Sequence, residues 1–189
     1  LGNLGIVLRR VRRFEEAIEA HTQAAAVFRE VGDRHGEGQA LVNFGVALHQ
    51  KRRFEEAIDA FSRTLEICRE VGDRHGEGIA LANLGSVLRR VRRFEEAIDA
   101  NTRAAIAFRE VGDRHREVLM LASVGIVLTR VRRFREAIDA HRQAAAVFRE
   151  VGGQHREVLA LANIGTTLRF RRARKAWSLF TERIQGSSR

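Results

Sequence analysis

The feature that most constrains this chain is a strict 40-residue period. Residues 1–40 and 81–120 align without a gap and agree at about 29 of 40 positions. Gly5, Gly45, Gly85, Gly125 and Gly165 stand one period apart, as do Leu8, Leu48, Leu88, Leu128 and Leu168. Phe14, Phe54, Phe94 and Phe134 repeat in the same register. Such identity implies recent duplication or a deliberately regular sequence. A repeat of this size is one supersecondary unit that must stack on its neighbours to bury its apolar face.

Each period splits into two helical patterns. Ala40, Leu41, Phe44, Ala47 and Leu48 recur at i, i+3, i+4 and i+7; so do Phe54, Ala57, Ile58, Phe61, Leu65 and Cys68. The 189 residues contain no Pro to interrupt either helix, and no segment alternates with a strand period. The spacing predicts a first helix at about 34–51 and a second at about 54–71 in each period. An all-α stack of antiparallel helix hairpins follows.

The stretch Phe28 to Gly38, FREVGDRHGEG, has the glycines and polar groups of a phosphate cradle, yet it recurs from Cys68, Phe108 and Phe148. In the third and fourth of these copies GEG becomes Arg116-Glu117-Val118 and Arg156-Glu157-Val158. A phosphate cradle needs its glycines and a helix start does not. The stretch therefore reads as a joint. Gly32 ends one helix in a left-handed conformation, Asp33 caps the next, and Glu37 suits the positive end of its dipole. The last copy carries Gly153 in place of Asp and should start its helix less firmly. In the recurring RRVRRFEEAI, arginines close one helix and glutamates open the next, each complementing a dipole end.

Composition bounds function. Hydrophobic residues make up 44% and charged residues 31%, as in soluble folded proteins. The single Cys68 excludes an intrachain disulfide and suits a reducing, cytoplasmic setting. It takes the place of Phe28, Phe108 and Phe148 and reads as a core filler. No apolar run approaches the roughly 18 residues of a membrane helix. No secretory signal is seen, and the start at Leu1 within the pattern suggests a fragment of something larger. Arg-rich, Ala-rich usage points to a GC-rich bacterial source. The net charge is +10, but residues from Arg169 onward supply +6 of it, leaving 10 − 6 = +4 for the repeats. Nucleic-acid binding through the Arg-rich corners and tail is thus an alternative rather than the leading expectation.

Enzymatic chemistry has no carrier. His35, His75, His115 and His155 form His-x-Glu pairs whose side chains fall on different helix faces, and no HExxH, phosphate-loop or nucleophile-elbow motif occurs. No cofactor or metal is expected. His21 and His141 lie on the apolar stripe of second helices and read as packed. After Leu168 the register slips. Ala176, Trp177, Phe180 and Ile184 then give residues 173–189 the stripe of a divergent closing helix, after an array over 1–172 with repeats starting near 1, 34, 74, 114 and 154.

Leu84-Gly85, Leu88, Phe94, Ala97 and Ala104 stand at the spacing of the tetratricopeptide repeat signature, which the chain resembles over about four and a half repeats. The period of 40 rather than 34 is similar to the longer-repeat branch of kinesin light chains, Pins-like adaptors and sensor regions of bacterial multidomain regulators. Gly112-Asp113 replaces the usual terminating Pro. The resemblance implies a right-handed superhelix whose inner face, formed mainly by first helices, binds an extended or helical peptide. Carried over residue by residue, that face includes Asn43, Asn83 and Asn163, then Ser86, then His49, Arg89, Arg90 and Arg130. A row of amides can pair with a peptide backbone, and guanidinium forks bind carboxylates, so the expected partner is an acidic peptide. The amides could equally brace neighbouring helices, and the arginines could form a merely solvated face. Self-association through the stack ends is a further alternative.

Overall fold

A computed structural model describes residues 2–150, 163–170 and 172. The described residues form α-helices in the expected rhythm. They are α1 (Gly2–Arg10), α2 (Phe14–Glu30), α3 (Arg34–Gln50), α4 (Phe54–Val71), α5 (Arg74–Arg90), α6 (Phe94–Glu110), α7 (Arg114–Arg130) and α8 (Phe134–Glu150). Residues 163–170 are also helical. The last joint, with Gly153, and the expected closing helix through Ala176, Trp177, Phe180 and Ile184 lie outside the described residues.

Two kinds of joint alternate. Where a second helix meets the next first helix, Gly32, Gly72 and Gly112 take φ of 75°, 70° and 77°. The amide of Asp33 donates back to the Phe28 carbonyl at 2.8 Å, closing a Schellman turn. Asp33 then turns its carboxylate to the Gly36 amide at 2.8 Å, and Asp73 does the same for Gly76 at 2.7 Å. These are the caps that the sequence predicts. Where a first helix meets its second, the same turn is built without glycine. Arg13 and Arg53 donate to Leu8 and Leu48 at 2.9 and 3.0 Å. Arg12, Arg52, Arg92 and Arg132 occupy the left-handed position, at φ of 63–67°.

The chain divides into two compact units, Leu1–Glu117 and Val118–Arg189. In the first, each helix packs on the next from α1 to α6, and the first helices also touch one another, α1 to α3 and α3 to α5. Comparable contact does not join α2 to α4 or α4 to α6 among the described residues, so the first helices form the tighter, inner layer of this unit. The core is built on small side chains: Ala17, Ala57 and Ala97 are fully buried where helices approach. The recurring Gly of the first helix is a second close approach. A Cβ on Gly45 would lie 2.7–3.1 Å from ring atoms of Phe61, and one on Gly85 2.6 Å from Asn101 Oδ1. In the second unit, Val118 packs with Ala144, Ala145, Val147 and Phe148. Gly125 abuts His141 there, and Thr129 and Thr167 share a hydrogen bond of 3.0 Å.

Candidate functional site

The inner layer of the first unit carries most of the expected groove residues. Asn43 on α3 and Asn83 and Ser86 on α5 are half-buried. Asn83 Nδ2 donates to the Ile79 carbonyl one turn back, at 2.9 Å, which fixes its rotamer and leaves the amide oxygen to accept. Asn43 and Ser86 have no side-chain hydrogen bond among the described residues.

Nearly two helix turns from these amides the site becomes basic. His49, near the end of α3, meets the charges of Arg90 and Arg89 from the end of α5. Burial, then Arg90 and Arg89, push its imidazole below the ordinary histidine range, so it is neutral at pH 7. The His49 ring also leans on Phe54, with centroids 5.9 Å apart. Arg89 and Arg90 are exposed and form no ion pair among the described residues.

The corner beyond them behaves differently, and it splits a charge cluster that the sequence presents as one. Arg13, Arg53 and Arg93 each clasp the glutamate three residues on, Glu16, Glu56 or Glu96, by donating from Nε and Nη2 to its two carboxylate oxygens. Lys51 reaches Glu15 of the preceding repeat at 2.9 Å. The adjacent left-handed arginines Arg12, Arg52, Arg92 and Arg132 are exposed and lack an ion-pair partner among the described residues.

Arg130 and Asn163 belong to the second unit. Arg130 is exposed at the end of α7, and Asn163 is half-buried, its backbone carbonyl accepting from Thr167 Oγ1 at 2.9 Å. The structure thus brings His49, Arg89 and Arg90 together and places Asn43, Asn83 and Ser86 on adjoining helices of one unit.

Sequence reasoning missed the acids beneath the joints. Glu37, Glu77 and Glu117 are buried. Glu37 receives Arg29 at 2.8 Å, Arg34 at 2.6 Å and, more distantly, Arg63 at 3.5 Å. Burial alone would push its carboxyl up, but Arg29 and Arg34 outweigh that and hold it below the ordinary range; Arg74 and Arg69 do the same for Glu77. The usable signal is the recurrence of Arg three and eight residues before each of these glutamates. The imidazoles of His21 and His141 are packed, as the stripe predicts, and both ring nitrogens of His21 and Nδ1 of His141 are buried without a hydrogen bond. Among the described residues no group of three or more His, Cys, Asp or Glu could hold a metal, and no helix is long and apolar enough to cross a membrane. Leu4, Val7 and Val11 remain exposed at α1, where stack-end association was an alternative.

Solved structures share this architecture at low identity. A Signal Transduction ATPase with Numerous Domains protein with a tetratricopeptide repeat sensor, from Pyrococcus horikoshii, matches at TM-score 0.75 and 17% identity over 88% of this chain. This chain spans only 26% of that one. A putative kinesin light chain with nearly identical repeats, from Podosopora anserina, matches at TM-score 0.70 and 13% identity, over 94% of each chain. A Rap protein complexed with Competence and Sporulation Factor matches at TM-score 0.67 and 17% identity over 99% of this chain and 52% of that one. At these identities the likeness shows the fold alone. No curated protein is detectably similar in sequence. The family model for the tetratricopeptide repeat matches residues 1–70 and 38–110, more than half of the chain. The helix-hairpin repeats, the small-residue contacts between them and this match agree: the chain belongs to the tetratricopeptide repeat family, an all-α solenoid.

Proposed function

We propose that this array is a protein-interaction scaffold that binds an extended acidic segment along the first helices of the Leu1–Glu117 unit. One observation carries the reading. Arg89 and Arg90 converge with His49 at the end of the amide row and have no ion-pair partner among the described residues, while Arg93, three residues on, is already neutralised by Glu96. Guanidiniums left without a counter-charge beside half-buried amides suit a ligand that brings carboxylates on a peptide backbone. Among the structural relatives, a Rap protein is seen complexed with Competence and Sporulation Factor, which makes a bound partner a natural use of the fold. The exposed arginines should steer such a segment in and make binding salt-sensitive.

The test is capture from lysate by three forms of the chain: the unaltered protein, Asn43→Ala with Asn83→Ala, and Arg89→Glu with Arg90→Glu. A protein recovered by the first and lost by both variants, with helicity unchanged, supports the groove. Recovery that is indifferent to Arg89 and Arg90 removes it.

A second reading is binding of a polyanion along the corners, and the left-handed Arg12, Arg52 and Arg92, without an ion-pair partner among the described residues, favour it. It requires nucleic acid to be recovered equally by all three forms and released steeply by salt.

A further inference from the structure

The first helices of the Leu1–Glu117 unit end on free cations at two levels and not at the level between. α1 closes on Arg9 and Arg10, and α5 closes on Arg89 and Arg90. Arg9 is half-buried, its Nε covered and without a hydrogen bond; Arg10, Arg89 and Arg90 are exposed. None of the four has an ion-pair partner among the described residues.

The level between carries no free charge. α3 closes on His49 and Gln50. Burial, then Arg90 and Arg89, hold the His49 imidazole below the ordinary histidine range, and its ring leans on Phe54. Lys51 follows where α1 and α5 are followed by Val11 and Val91, and Glu15 of the preceding repeat neutralises it at 2.9 Å. The amides are not interrupted in this way: Asn3, Asn43 and Asn83 stand at one register of α1, α3 and α5.

α1 touches α3, and α3 touches α5. Packed helices lie about 8–10 Å apart, which sets the two arginine pairs about 16–20 Å apart. An extended chain advances about 3.3 Å per residue and covers that distance in about five to six residues. Two neighbouring guanidiniums at each end suit two neighbouring carboxylates.

We infer that this unit reads a split acidic motif: two pairs of carboxylates on one extended peptide, one pair held by Arg9 with Arg10 and the other by Arg89 with Arg90, about six residues apart, with uncharged residues passing His49 and Gln50. The inference rests on the proposed groove and adds a spacing to it. Two anchors on one segment reinforce each other when the segment between them matches the span, and the gain is lost when it does not.

Fluorescence anisotropy with three labelled Gly-Ser peptides of equal length and equal charge tests it. Each carries two Glu-Glu pairs, the second pair starting two, six or twelve residues after the first. The six-residue spacing should bind about fivefold or more tightly than either of the others. Arg10→Gln and Arg90→Gln, both at exposed positions, should each reduce it to the level of the other two. Gln50→Arg, which puts a charge at the neutral level, should narrow its lead over the contiguous peptide. Circular dichroism checks that each variant keeps its helices. Equal binding of all three peptides that still falls in Arg90→Gln overturns the split motif and leaves the groove standing. A six-residue preference that survives Arg10→Gln overturns the split motif as well. Failure of every peptide to bind overturns the motif and the groove together.

Discussion

Arg29 at the end of α2 donates from Nε to the carboxylate of Glu37 at 2.8 Å, and that carboxylate, in the first turn of α3, is wholly buried. The ion pair locks one repeat to the next beneath the joint. A buried acid is costly unless its lone pairs are met, and here Arg34 completes the pairing from the same turn.

Glu37→Gln should therefore destabilise the chain by about 1–3 kcal/mol, since a charged partner of two guanidiniums is lost while they stay half-exposed. The pH dependence follows from the lowered carboxyl. The unfolded chain titrates at the ordinary 4.5 and the folded chain below it. The stabilisation is thus fully present above about pH 4.5 and is lost as pH falls through the lower folded value. Urea midpoints between pH 7 and pH 3 should fall less steeply in Glu37→Gln; an unchanged acid limb would show that Glu37 does not matter.

Burial gives His141 an imidazole that titrates below the ordinary 6.5, and burial followed by Arg9 does so for His21. The unfolded chain takes up these protons first, so stability should decline as pH falls from about 6.5 toward the folded values. Phe61 holds the equivalent place against Gly45. His141→Phe should fit, remove a buried nitrogen without a partner, and raise stability by about 1 kcal/mol. Comparing midpoints at pH 7.5 and pH 5.5 checks both the gain and the loss of pH dependence.

The left-handed arginines cost the fold something that glycine would not. Arg92→Gly should stabilise the chain by about 1 kcal/mol, by relieving a Cβ in the left-handed region. Arg52→Gly with Arg92→Gly should add, since the sites lie one repeat apart. Equilibrium denaturation measures this directly, and destabilisation would show that the arginine stems pack usefully on the corner.

Gly45→Ala should cost about 1–3 kcal/mol, because its Cβ would stand 2.7–3.1 Å from the ring of Phe61, itself 1% exposed. Restoring room with Phe61→Leu in the same chain should recover part of the loss, a coupling that a double-mutant cycle reads.

Much of this was legible beforehand. The helix boundaries at Arg34, Gln50, Phe54 and Val71 fall where periodicity and the Gly-Asp caps put them. These are local effects: a stripe every 3.6 residues, a carboxylate within reach of an amide three residues on, a glycine that tolerates positive φ. The candidate groove was legible only as a list of positions. The i, i+3 spacing allows Arg93 to meet Glu96, but it does not say that Arg92, its neighbour, has no ion-pair partner among the described residues. A backbone turn decides that, by setting Arg92 in the left-handed region and leaving Arg93 at the N-cap of α6, within reach of Glu96.

By itself the sequence determined the period, the two helices in each repeat and the caps between them, because each depends on residues a few positions apart. Tertiary structure alone decided what those helices do to one another. It buried Glu37 by bringing Arg29 and Arg63 from two other helices around it. It gathered His49, Arg89 and Arg90 from helix ends 40 residues apart. It buried the Cys68 side chain, in keeping with its reading as a core filler, because how completely a side chain is covered depends on the walls that surround it.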